Sequence, residues 1–187
     1  MIRLFVALEI PENIISAILI ERNKVLYHEN NFTWEPKEKL HITLKFLGNT
    51  EESLVDNISH ELKNIVRKYK SINLVVSKFG VFRKGSEPKI LWVGMHDNYY
   101  LSNFVNDIEK SFCKFGCPKE ERKFKPHITL LRFRGNEDTS KILSLLEVKF
   151  PVLGFMANNI SLIKSELKQS GSVYTTLKNF KLEKQME

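Results

Sequence analysis

Two stretches of this chain repeat one another nearly half its 187 residues apart. Residues 41–48 read His-Ile-Thr-Leu-Lys-Phe-Leu-Gly, and residues 127–135 read His-Ile-Thr-Leu-Leu-Arg-Phe-Arg-Gly. The first four positions of each copy alternate polar and apolar, the pattern of a half-buried strand, because successive strand side chains point to opposite faces. His41 and Thr43 therefore share a face, as do His127 and Thr129, while Ile42, Leu44, Ile128 and Leu130 turn to a core. The duplication predicts two related lobes, and a fold that sets these strands side by side converges two His and two Thr on one cleft.

The rest of the chain mixes strands and helices. Residues 2–10 are apolar and predict a buried strand ending at Pro11. Ile14, Ile15, Ile18, Leu19, Val25 and Leu26 then form a helical stripe behind that helix-opening proline. A polar stretch over 28–31 leads to a short strand at 32–34, and strands follow at 40–47, 72–82, 89–96 and 127–133. Helical spacing recurs over 51–70, 101–112 and about 140–146, and residues 160–167 and 173–182 predict a hairpin around Ser170-Gly171. Without the regular alternation of a doubly wound sheet, this order points to an α+β fold. No low-complexity linker divides the chain, so residues 1–187 read as a single domain of two lobes.

With 42% hydrophobic and 27% charged residues the chain has both a core and a solvated surface, which excludes disorder, a coiled coil and a collagen-like rod. No apolar run reaches the ~18–20 residues of a membrane span. Residues 1–5 lead straight into structure without a signal-peptide pattern, so a soluble cytoplasmic protein with no membrane partner is expected. A formal charge of +7 tilts the expected partner towards an anion such as RNA, DNA or a phosphorylated metabolite.

The paired motifs suit phosphoester chemistry. An unperturbed imidazole titrates near pH ~6.5, so one histidine can be neutral while its partner is protonated. One then deprotonates the nucleophile and the other protonates the leaving oxygen, while the Thr hydroxyls donate to non-bridging phosphate oxygens. The residues themselves leave open which histidine plays which part. Strand parity puts Lys45 on the face of His41 and Thr43, within reach of a phosphate. Arg132 falls on the face opposite His127 in a regular strand, but the extra residue in the second copy fits a bulge that re-aims it.

These motifs resemble the two HxTx signatures of the 2H phosphoesterase superfamily. Residues 3–8, the extended 41–48 motif, Leu91-Trp92-Val93-Gly94, Phe124-Lys125-Pro126-His127, Leu162-Ile163-Lys164-Ser165 and Tyr174 are similar to the RNA 2′,3′-cyclic phosphodiesterases, also called 2′-5′ RNA ligase-like. The resemblance spans almost the whole chain. It implies a bilobal α+β fold with pseudo-two-fold symmetry, two antiparallel sheets lining a central cleft and helices outside. It also implies hydrolysis of a 2′,3′-cyclic phosphate on RNA ends or nucleotides to a 2′-phosphate, by a monomer with no cofactor or required metal. Carried over by motif position, His41 is the proton donor to the leaving 3′ oxygen, His127 the proton acceptor that activates water, and Thr43 and Thr129 hold the phosphate. Lys164 stands where many relatives carry an acid, and the tail after Leu182 matches nothing. The alternatives are 2′-5′ RNA ligation, in which a 5′ hydroxyl replaces water, and an RNA-end-binding module with a vestigial site.

Other residues read more plainly. His28, His60 and His96 have no motif partner and belong to the surface. Cys113 and Cys117 supply only two ligands where a structural zinc needs about four. Phe5, Phe46, Trp92 and Phe133 read as core, and Trp34 and Tyr174 as candidates for stacking a terminal base. The basic run Lys119, Arg122, Lys123 and Lys125, just before the second motif, is placed to steer an RNA backbone.

Overall fold

The computed structural model describes residues 1–26, 32–135, 137, 139–169 and 171–184. Eight strands are described: β1 (Ile2–Glu9), β2 (His41–Thr50), β3 (Ile72–Lys84), β4 (Glu87–Met95), β5 (His127–Arg132), β6 (Gly154–Ala157), β7 (Asn159–Lys168) and β8 (Gly171–Lys181). The described helices are α1 (Glu12–Leu26), α2 (Val55–Val66), α3 (Tyr99–Phe112) and α4 (Ser140–Leu145). All strand pairs are antiparallel, and the order is β6-β3-β4-β5-β2-β1-β7-β8.

The two sheets expected from the resemblance are the halves β6-β3-β4-β5 and β2-β1-β7-β8. They are hydrogen-bonded into one sheet by the β2–β5 pairing of Ile42 with Ile128. An antiparallel pair has a local two-fold axis between its strands, so this contact lies at the centre of the duplicated motifs. Extending its register one residue each way sets His41 opposite Thr129 and Thr43 opposite His127.

The helices are amphipathic and bury their stripes against one face of the sheet. Ile14, Ile15 and Ile18 of α1, Ile58, Leu62 and Ile65 of α2, and Leu101, Phe104, Ile108 and Phe112 of α3 join Leu4, Val6, Leu8, Ile42, Val93 and Ile128 in the main core. The Pro11 carbonyl accepts from the Ile14 and Ile15 amides at the start of α1, and the Asn98 side chain caps α3 by accepting from the Leu101 amide at 2.8 Å. Phe5, Ala7 and Ile163 form a separate cluster with Tyr174. They lie on the face that carries His41 and Thr43. The helices thus leave that face free for a cleft, and among the described residues no helix is long and apolar enough to cross a membrane.

Two local expectations change. The strand expected over 32–34 is only an isolated bridge from Trp34 to Leu131. Strand β6, which the sequence reading did not assign, is four residues long, alternates exposed and buried positions and pairs with the edge of β3. The 28–31 stretch, with His28, and Ser170 lie outside the described residues.

Candidate active site

Both motif strands carry a bulge at the same place. On β2, Lys45 pairs with Val6 and Thr43 with Ala7, so Leu44 is the extra residue. On β5, Leu131 pairs with Leu91 and Thr129 with Trp92, so Leu130 is extra. A bulge puts two residues opposite one and reverses the facing of everything beyond it. Accordingly Leu44 and Lys45 are both buried, and so are Leu130 and Leu131.

The reversal decides the next two positions. Arg132 returns to the face of His127 and Thr129 and lines one small pocket of ≈ 20 Å³ together with His41, Thr43, Thr129, Lys39, Glu35, Phe46 and Tyr174. The re-aiming is as expected, though its cause is a bulge common to both copies and not the second copy's extra residue. Lys45 is the correction. It turns into the core, where Nζ donates to Glu109 at 2.6 Å and to the Pro118 carbonyl at 2.8 Å, and its side chain is only 2% exposed. It cannot touch a phosphate. Phe46, expected in the core, occupies the position that Arg132 has in the second copy and is 63% exposed at the pocket.

The two histidines are held alike. His127 Nδ1 lies 2.7 Å from the Lys125 carbonyl, and His41 hydrogen-bonds the backbone of Lys39. Each anchor lies two residues upstream and leaves the ring's second nitrogen for the cleft. Each imidazole is also packed against aromatic rings. Phe5 stacks on His41 at 5.0 Å between centroids and Tyr174 meets it edge-on at 5.7 Å. Phe82 and Trp92 meet His127 at 4.9 and 6.2 Å. Rings so fixed lose little freedom when a substrate arrives.

Those rings also remove water, and burial disfavours the imidazolium. Burial is the main cause that pushes the pKa of His41 down to about 4, reinforced by the charges of Arg132 and His127 and opposed by the Lys39 carbonyl. His127 is lowered for the same first reason, with Arg132 adding to it. At neutral pH both rings rest uncharged, each with one nitrogen free to accept a proton. An anion bound between them offsets the Arg132 charge and draws a proton onto one ring.

Glu35, with Lys39, is a site residue that the sequence reading missed. Its amide donates to the Leu130 carbonyl at 2.8 Å, and its carboxylate lies 3.3 Å from Arg132 Nε. Tyr174, one of the stacking candidates, lines the pocket. Trp34 does not; it lies under the Arg22 guanidinium at 4.4 Å and edge-on to Phe32. His60 and His96 are exposed, as expected. Cys113 is exposed and Cys117 buried. Among the described residues no group of three His, Cys, Asp or Glu is placed to hold a metal ion. The basic run is partly neutralised, with Arg122 paired to Glu120 at 2.7 Å and Lys123 to Asp97 at 3.1 Å.

This arrangement has relatives. The RNA 2′,3′-cyclic phosphodiesterase of Thermotoga maritima is 27% identical over 94% of this chain and 92% of its own. That of Methanocaldococcus jannaschii is 29% identical over 95% and 99%. Among solved structures, a Thermus thermophilus protein superimposes with a TM-score of 0.83 at 25% identity, covering 98% of this chain and all of its own. Escherichia coli LigT, in complex with 3′-AMP, superimposes at 0.76 and 25% identity over 97% and 98%. The model of the 2′-5′ RNA ligase superfamily matches residues 11–169, a span that contains both histidines, both threonines, Arg132 and the two bulges, and the chain belongs to that superfamily.

Proposed function

We propose that the protein is an RNA 2′,3′-cyclic phosphodiesterase that opens the cyclic phosphate at an RNA end to a 2′-phosphate. One observation supports the reading: His41, Thr43, Thr129 and Arg132 line one pocket, and His127, anchored on a backbone carbonyl as His41 is, stands in register opposite Thr43 on the adjoining strand. The names of the relatives point the same way.

In this mechanism the phosphate sits against Thr43, Thr129 and Arg132, which donate to its non-bridging oxygens and meet the charge that grows in the transition state. Water attacks phosphorus in line with the 3′ oxygen. His127 takes the water's proton as the new P–O bond forms, and His41 gives its proton to the 3′ oxygen as the old bond breaks. The proton on His41 is the one recruited when the substrate anion binds beside Arg132. Every group comes from one chain, so residues 1–187 serve as one catalytic unit and a monomer suffices. A cytoplasmic location is part of the same proposal.

The test is incubation of the pure protein with an oligoribonucleotide ending in a 2′,3′-cyclic phosphate, in EDTA, with the products read by phosphorus NMR. A 2′-monoester is expected. Joined strands would make the reaction 2′-5′ ligation, with a 5′ hydroxyl in the place of water, and binding without turnover would make the protein an RNA-end-binding module.

A further inference from the structure

Three charged side chains line the pocket: Glu35, Lys39 and Arg132. Glu35 stands 3.3 Å from Arg132 Nε and offsets part of the guanidinium's charge. Lys39 has no such partner. Among the described residues no carboxylate lies within ion-pair distance of its ammonium, which sits 5.8 Å over the Tyr174 ring. That contact holds the side chain without neutralising it. Lys39 is half-buried, so its charge has lost part of its water and gains from any anion that enters.

The backbone fixes where that ammonium can go. Residues 35–39 run from one motif strand to the other. The Glu35 amide donates to the Leu130 carbonyl of β5 at 2.8 Å, and the far end passes through Leu40 into His41 of β2. Between them a 3-10 turn over Lys37–Lys39 is closed by the Lys39 amide on the Pro36 carbonyl at 2.9 Å. Lys37 pairs with Glu12 of α1 at 2.8 Å. Lys39 itself hydrogen-bonds the His41 ring through its backbone. The duplication explains why a cation is needed from here. Arg132 brings one from the second copy, but its equivalent in the first is Phe46, and Lys45 is buried on Glu109. The first motif therefore sends no cation of its own to the cleft. Lys125, two residues before His127 as Lys39 is before His41, lines the opening beyond His127 and not the pocket.

We propose that Lys39 is a further substrate-binding residue, the first lobe's cation for the phosphate that Arg132 meets from the second. The inference rests on the hydrolytic reading above and adds a phosphate contact to it. The test uses Lys39→Gln and Lys39→Arg, with folding checked by circular dichroism, and three ligands. Inorganic phosphate and adenosine 2′-phosphate are titrated calorimetrically, and adenosine 2′,3′-cyclic phosphate is followed as substrate. Lys39→Gln is expected to weaken both titrated ligands by about 10-fold, the scale of one charge-assisted hydrogen bond. The KM of the cyclic phosphate should rise by a smaller factor, because it carries one negative charge where the monoester carries nearly two. Lys39→Arg keeps the charge and is expected to stay within ~3-fold of wild type for all three. On the unmodified protein, saturating adenosine 2′-phosphate should slow acetylation of Lys39 by acetic anhydride while leaving Lys37 and Lys89 unchanged, read by mass spectrometry. This arm decides the matter even where a variant does not fold. Inorganic phosphate bound equally by wild type and Lys39→Gln would overturn the inference, and a loss confined to the two nucleotides would assign the lysine to the nucleoside instead. Acetylation of Lys39 at the same rate with and without the nucleotide would overturn it too. Either result, with the cyclic phosphate turned over by wild type, leaves the hydrolytic reading standing. No turnover by wild type would remove that reading, and the inference with it.

Discussion

Lys45 separates a structural reading of the first motif from a catalytic one. The Lys45–Glu109 pair is among the most enclosed ion pairs of the fold, at 2.6 Å with side chains 2% and 7% exposed. It also ties down the segment that leads into β5, because Lys45 holds the Pro118 carbonyl and Glu109 accepts from the Glu120 amide at 3.1 Å. Lys45→Met leaves the Glu109 carboxylate buried without its counter-charge, which costs about 3–5 kcal/mol. That is a large share of the ~5–15 kcal/mol by which such a domain is stable. The double variant Lys45→Met, Glu109→Leu removes both charges and is expected to recover most of the loss, since an apolar pair of similar volume is often as good as a buried ion pair. Leu131, fully buried at the equivalent position of the second copy, shows that the bulge accommodates an apolar side chain there. Urea unfolding of wild type, both single variants and the double variant gives the coupling energy, and kcat/KM per folded molecule gives the catalytic effect. The expected pattern is a coupling of at least ~2 kcal/mol with kcat/KM per folded molecule preserved. A Lys45→Met variant as stable as wild type but with a raised KM would refute the burial argument and return Lys45 to the phosphate.

Other outcomes follow from the same geometry. His41→Ala and His127→Ala should each lower kcat by roughly 10²–10⁴-fold with unfolding curves intact, and the double variant should be far less than additive because the two act in one step. Arg132→Ala should lower kcat/KM by about 10²–10³-fold, the scale of a lost oxyanion donor. Glu35→Gln removes the carboxylate 3.3 Å from Arg132, and isothermal titration should show a 2′-nucleotide, a dianion, gaining more affinity than the monoanionic cyclic phosphate. Gly80→Ala sets a methyl 2.2 Å from the Trp92 ring, so the indole must move off His127. Activity should fall and urea unfolding should register a loss of about 1–3 kcal/mol.

The parts of this site that depend on short-range pattern are legible in the sequence. Alternation alone pairs His41 with Thr43 and His127 with Thr129, and the helical stripes of α1, α2 and α3 are read from spacing. What lies beyond the bulges is not legible in the same way. Lys45 and Phe46 exchange faces relative to a regular strand because β1 pairs with β2 out of step between Val6 and Ala7, a mismatch set by a partner strand. Glu35 is invisible for a related reason. Its chemistry comes from one bridge, Trp34 to Leu131, which carries a loop residue to Arg132 from nearly a hundred residues away. Comparing the copies position by position offers one available signal. Lys45 aligns with Leu131 and Phe46 with Arg132, so a shared fold puts the first pair in the core and the second at the site.

The most direct measurement is the pH dependence of kcat/KM on a small cyclic phosphate, with wild type and the two single histidine variants. A general base must be neutral and a general acid protonated, and kcat/KM reports the free enzyme. Burial and the Arg132 charge lower both imidazoles, His41 to about 4 and His127 in the same direction. The wild-type profile should therefore be a bell whose maximum lies below the ordinary histidine value of ~6.5. The kcat profile should be displaced to higher pH, because a bound phosphate anion stabilises the imidazolium that Arg132 destabilises. Residual activity should lose its acidic limb in His127→Ala, the proposed base, and its basic limb in His41→Ala, the proposed acid. Limbs that respond the other way round would exchange the two roles and keep the mechanism. A wild-type rate that climbs steadily through neutral pH would mean that no protonated imidazole is needed, and would contradict catalysis by this pair.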